Sequence, residues 1–263
     1  VPIDPNGSAI QPDGINGGAQ DLPLISRAGT TTVTGDATNL GVVTLHDNDV
    51  GSTGTMRFGG DLAATTLTTQ PRNYDVELLA TAGGVGTVDV TTDTTFANTG
   101  SITLGDNAGD TLTFAGGLDT TSAAGGTNTA GTVGTSDTQM DLGAVTMGAD
   151  TTLLAGSGGI NAASVTDGAS AFTLDLQDAT ATGAVTFAGG VTVNAVTTSA
   201  SNYDVVFNGG GTIDTDTTFA NTGVITLGDD VGDVISFTGG VDTTSAAGGT
   251  NTAGTVGTSD TQM

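Results

Sequence analysis

The chain has 263 residues and a formal net charge of -25, with 28 acidic residues, 3 basic ones and no cysteine. That balance excludes nucleic acid as a partner, because binding it needs Lys and Arg to displace counterions, and it disfavours an anionic membrane surface. Without cysteine there is no disulfide framework and no thiolate metal site, so stability rests on packing and hydrogen bonds.

The acids are nearly all Asp, with Glu77 the one glutamate. Asp is both a turn residue and an oxygen donor for hard cations. Gly (44 residues) and Thr dominate the rest. An acidic linker without structure is one reading of such a composition, and periodicity decides against it. No apolar run approaches the ~18 residues of a membrane span.

In chain order, residues 1–30 hold four of the five prolines and show no strand alternation. They read as an extended arm or an end cap. From there a short motif recurs: apolar, any residue, apolar, then Gly, Asp or Asn. It is VTLHDN at Val43, MRFGGD at Met56, ITLGDN at Ile102 and LTFAGG at Leu112. It continues as VTMGAD at Val145, VTFAGG at Val185, VVFNGG at Val205, ITLGDD at Ile225 and ISFTGG at Ile235. Phe187, Phe207 and Leu227 fall 20 apart, as do Phe58 and Leu78, and Asp167 keeps the same frame between Met147 and Phe187.

A longer repeat overlies the short one. Asp93 to Met140 matches Asp216 to Met263 at 40 of 48 positions, an offset of 123. Its last stretch, DTTSAAGGTNTAGTVGTSDTQM, is copied without change: Asp119 to Met140 recurs as Asp242 to Met263. Among the differences, Leu112/Ile235 and Leu118/Val241 stay apolar while Thr111/Val234, Thr113/Ser236 and Ala115/Thr238 drift. One guarded face and one free face at period two is the mark of a strand. A fixed step of short strands and Gly/Asp turns predicts an all-β fold: a right-handed parallel β-helix (β-solenoid) with ~20-residue coils, ~12–13 of them. Tandem β-sandwich domains are the alternative. The expected divisions are 1–30 (arm or cap), 31–140 (first solenoid unit) and 141–263 (second unit). The copied stretch is either one thin coil or a loop leaving the rod.

The frame, the VTF-x-GG strands and the Thr/Gly/Asp richness resemble the large β-strand-repeat proteins of bacterial surfaces. These include the filamentous-haemagglutinin-like exoproteins and autotransporter passenger domains. The resemblance covers residues ~40–263. It implies a right-handed parallel β-helix, export to the cell surface, and adhesive or scaffolding work.

Chemistry is sparse. His46 is the one histidine and there is no lysine, so most acid–base and nucleophilic arrangements lack their parts, and the chain reads as no enzyme. No cofactor is required by any motif. Calcium is the stronger expectation. Asp106 and Asp110 in GDNAGD, and Asp229, Asp230 and Asp233 in GDDVGD, set carboxylates on tight Gly turns; Asp47 and Asp49 beside His46 make a third candidate. The expected role is a structural subunit of an extracellular or cell-surface bacterial filament or matrix, self-associating head to tail as a homopolymer. The alternative is an adhesin stalk or a surface-layer protein, a passive spacer for a binding region elsewhere; surface glycans are a further partner to weigh, and no membrane insertion is expected.

Overall fold

The computed structural model describes residues 9–10, 14–48 and 53–259. These residues form a right-handed parallel β-solenoid of about 11 turns. No helix is present among them, so none is long and apolar enough to cross a membrane.

The strand pairings resolve into three parallel faces. The first stacks Thr30–Val33, Thr55–Phe58, Asp75–Leu78 and Ile102–Leu104, then continues through 127–129, 145–147 and 164–166 to Val191–Val193, Gly211–Ile213, Val234–Phe237 and Thr255–Thr258. The second carries 62–64, Thr87–Val90, Thr111–Phe114, 131–134, 151–154, Thr173–Leu176 and Ala195–Thr198. Thr217–Thr218 and Val241–Asp242 continue it. The third carries 43–47, 67–69, Thr94–Thr95, Leu118–Asp119, 140–142, 160–162, Val185–Phe187, Val205–Phe207, Ile225–Leu227 and Thr250–Thr252. The molecule is a three-sided prism, and each turn takes one strand from each face.

Why these residues adopt this form follows from the alternation. Thr111–Phe114 and Val234–Phe237 both bury their second and fourth residues and leave the other two toward solvent. The inward residues of successive turns stack into ladders. Phe187 lies over Phe207 with ring centroids 5.2 Å apart, and Phe207, Phe219 and Phe237 meet edge to face at 6.1 and 6.2 Å. Burying each such ring stabilises the rod by roughly 1.5–3 kcal/mol. The β-branched Val, Ile and Thr fit a pleated surface, and Gly and Asp supply the corners. At the usual rung spacing, about 11 turns make a rod roughly 50 Å long.

Three expectations change. First, a turn has no fixed length. It takes 18 from Thr127 to Val145, 20 from Val185 to Val205, and 26 from Val76 to Ile102. The corners absorb the variation while strand register is kept. Secondly, part of the region read as an arm is solenoid. Ile15–Ser26 pairs in parallel with Ala37–Asp47, and Ala9–Ile10 with Thr32 and Val33. Its alternation was hidden by Gly17, Gly18 and Pro23, with register shifts between Asn16 and Leu22. Residues 1–8 and 11–13 lie outside the described residues. Thirdly, the boundary at 140/141 is one of sequence only. Met140–Leu154 runs through it as a single strand around two corners.

The copied stretch forms coils. In its first occurrence Thr127–Gly134 covers two faces, held below by Ile102–Leu104 and Thr111–Phe114 and above by Met140–Leu154. The two copies occupy different faces. Ile102–Leu104 lies on the first face and its copy Ile225–Leu227 on the third; Thr111–Phe114 lies on the second and its copy Val234–Phe237 on the first. The 123-residue repeat spans 17 strand segments, five turns and two further faces. It is not the six coils and three residues that a fixed period suggests.

Candidate functional site

The corners hold the most specific polar chemistry. Tyr74 is buried and its hydroxyl donates to the Leu45 carbonyl at 3.0 Å while accepting the Gln70 N–H at 2.9 Å. Tyr203 repeats this with the Leu176 carbonyl at 2.8 Å and the Ser199 N–H at 3.0 Å. Burial pushes both phenols up to about 12. One turn above, Asn98 and Asn221 donate Nδ2–H to the Tyr74 and Tyr203 carbonyls, each at 3.0 Å. Asp75 and Asp204 follow the tyrosines and accept the N–H groups of Ser101 and Val224 at 2.7 Å. The Asn98 and Asn221 Oδ1 atoms are buried with no hydrogen-bond partner. Sequence reasoning missed this device. The signal was NYDV at Asn73 and again at Asn202, an offset of 129 that a search at 123 passes over.

The expected calcium residues fall into turns where carboxylates serve the backbone. Asp110 is buried; its Oδ2 accepts the N–H groups of Asp106 and Asn107 at 2.9 and 3.0 Å, and its Oδ1 accepts Gly86 N–H at 3.1 Å. Asp106 Oδ2 accepts Gly83 N–H at 2.9 Å, one turn below. In the second copy Asp233 Oδ2 accepts Asp229 and Asp230 N–H, both at 2.9 Å, and Asp230 Oδ1 accepts Gly232 N–H at 3.1 Å. Those amide bonds, Asp230's first, lower the Asp233 carboxyl below the usual range. Asp47 is buried on the third face beside the half-buried His46, and Asp49 lies outside the described residues. Among the described residues no three His, Asp or Glu side chains come together as a metal group. Sequence spacing shows the carboxylates but not the demand of tight-turn amides for an acceptor.

Two shallow grooves run along the third face. One, of about 300 Å³, is lined by Asp93, Thr95, Asp119, Gln139 and Asp141. Its neighbour, of about 280 Å³, includes Asp119, Asp141, Asn161 and Thr186. Asn161 Nδ2 donates to Asp141 Oδ1 at 2.8 Å.

A hollow of about 910 Å³ lies beside the last described rung, lined by residues that include Thr218, Leu227, Val241, Thr250, Thr252 and Val256. Here the rung of Thr250–Thr252 and Thr255–Thr258 pairs with the turn below, and no described strand pairs with its upper edge. Its inward residues are uncovered. Thr250 and Thr252 are exposed, whereas their copies Thr127 and Thr129 are each 1 % exposed. Val256 is half-buried, whereas Val133 is fully buried.

Comparison of the chain with protein-family models, curated proteins and solved structures returns no match. The functional reading rests on the fold.

Proposed function

We propose that the chain is a structural subunit of an extracellular or cell-surface bacterial filament or matrix, joining other copies head to tail. In this reading it is not an enzyme, and it works by length, stiffness and end-to-end contact. One observation supports it: parallel strands stacked in register turn after turn, a ladder that a further rung can extend. Unpaired strand edges are templates for another strand, and a head-to-tail contact that does not close makes a filament. Electron microscopy and sedimentation of the purified chain test this. Filaments whose length grows with concentration are expected; a strictly monomeric rod at all concentrations overturns the reading.

The grooves of the third face favour a second reading, an adhesin or surface-layer role with a glycan partner. Asp119, Asp141, Asn161 and Thr186 offer hydrogen-bond acceptors and donors in register, one per turn. A glycan-array screen of the chain, repeated with Asp141→Ala, tests it: ligands lost in the variant support it, and no ligand removes it.

A further inference from the structure

We infer that Asn16 is a self-modification site: with Gly17 it closes to a succinimide and then opens to aspartate or isoaspartate, with no enzyme taking part.

Three Asn-Gly pairs occur in the chain, at Asn6, Asn16 and Asn208, and the first lies outside the described residues. Such a pair is open to this reaction because glycine turns freely and puts no side chain in the way of its own amide nitrogen. The fold treats the two described pairs differently. Asn16 is exposed, where the pairing of Ile15–Ser26 with Ala37–Asp47 breaks: Asn16 lies opposite Thr38, and pairing resumes with Gln20 opposite Leu40. Gly18 and Ala19 in that gap are both left-handed, with φ 55 and 64. Asn208 instead sits on a corner held between turns. Its N–H donates to the Phe187 carbonyl at 2.8 Å, and a Cβ on Gly209 or Gly210 would lie 2.5 or 2.6 Å from backbone atoms of Gly189 or Val234.

The Asn16 side chain is also set for attack. Its Oδ1 accepts the Gly18 N–H and one Asn39 Nδ2–H, each at 3.3 Å. The first bond folds the side chain toward the amides that follow it. Both donors sit on the oxygen that becomes negative when nitrogen adds, which is where a donor lowers the barrier. In the reaction the Gly17 nitrogen gives its proton to hydroxide and bonds to Asn16 Cγ. The Cγ–Nδ2 bond breaks, and that nitrogen takes a proton from water and leaves as ammonia. Water then opens the ring at either carbonyl. Either product adds one negative charge at position 16, and isoaspartate also lengthens the main chain by one carbon. Glycine is imposed at position 17 by packing, since a Cβ there would lie 2.5 Å from Leu40 Cδ2. The reactive pair is therefore a consequence of the fold.

The test incubates the full folded chain in mildly alkaline buffer and follows positions 16 and 208 by tandem mass spectrometry, with isoaspartyl methyltransferase labelling as a second readout. The same chain in urea gives the rate of each pair without the fold. Conversion is expected at 16 but not at 208 in the folded chain, and at both in urea. Asn39→Gly removes one donor and accepts the left-handed backbone of that position, φ 53. It slows conversion at 16 at least about twofold, the low end of what one exposed hydrogen bond is worth. An unconverted Asn208 in this variant reports that its fold is intact. If the variant unfolds, the ratio of the two positions in the unaltered chain decides alone. An unreactive Asn16 in the folded chain, conversion at 208 as fast as at 16, or a folded Asn39→Gly chain with an unchanged rate overturns the inference.

Discussion

Asn98 and Asn221 make the same hydrogen bond at different corners of the prism. Each donates to the carbonyl of a tyrosine one turn below, but Asn98 sits 24 residues after Tyr74 and Asn221 only 18 after Tyr203. The first pair marks the corner that enters the first face, the second the corner that enters the third. A shared motif therefore keeps its contacts while both its face and its turn length change. The unit this sequence encodes is a strand with its corner; a turn is three such units of variable length.

The two copies predict unequal costs for one substitution. Gly105 and Gly228 have φ 79 and 83, and a Cβ on either would lie 2.3 Å from a backbone oxygen, that of Ala130 or Ala253. Gly105→Ala strains the backbone by about 1–2 kcal/mol before the clash is counted. Ala130 is fixed between two turns, whereas Ala253 belongs to the last described rung and can yield. Thermal melting should show Gly105→Ala lowering Tm clearly more than Gly228→Ala. Equal shifts would mean that the terminal rung is as fixed as the interior.

Alkaline pH should unfold the rod through its corners. The Tyr74 and Tyr203 phenols stand at about 12, above their ordinary 10, because burial disfavours the phenolate. A raised folded value means that this stabilisation is complete below pH 10 and is lost as pH rises toward about 12. Tm measured from pH 8 upward should stay level and then fall across that window, with phenolate absorbance rising alongside. Tyr74→Phe should lower Tm at neutral pH by leaving the Leu45 carbonyl and Gln70 N–H unpaired, a loss of about 1–3 kcal/mol. The double Phe variant should also flatten the alkaline fall.

Much of this was legible in the residues. The alternation in Leu112/Ile235 and Phe114/Phe237 gave strand, face and burial correctly, and the 20-residue step holds from Val185 to Val205 to Ile225. The same step fails elsewhere because a corner can lengthen without disturbing the ladder. Met147 and Phe187, two members of one apparent series, lie on different faces. The acidic turns show a second use of their carboxylates. Asp110 and Asp233 read as ligands in sequence, and in the structure the Oδ2 of each accepts two amide N–H groups of its own tight turn.

That use of the carboxylates bears on cations. The net charge of -25 on a slender rod repels itself, so added salt should raise Tm by screening. Calcium should do no more than magnesium at equal concentration, since Asp110 and Asp233 are engaged with backbone N–H groups. A Tm rise specific to millimolar calcium, abolished by Asp106→Asn, would show that those turns bind the ion after all.

Register can be tested directly, because the chain has no cysteine of its own. Thr212 lies under Ser236, and both face outward on the first face. A constant 20-residue frame would set Thr212 under Gly232, which instead sits in the exposed GDDVGD turn. Adjacent rungs stand about 4.8 Å apart, within the range a disulfide can bridge. Thr212→Cys with Ser236→Cys should therefore cross-link on mild oxidation, and Thr212→Cys with Gly232→Cys should not. Thr192→Cys with Thr212→Cys, a directly stacked pair that both frames allow, is the positive control. Cross-linking of the 232 pair in preference to the 236 pair would restore the fixed frame. It would also undo the assignment of the two repeat copies to different faces, because the displacement between them depends on turns of unequal length.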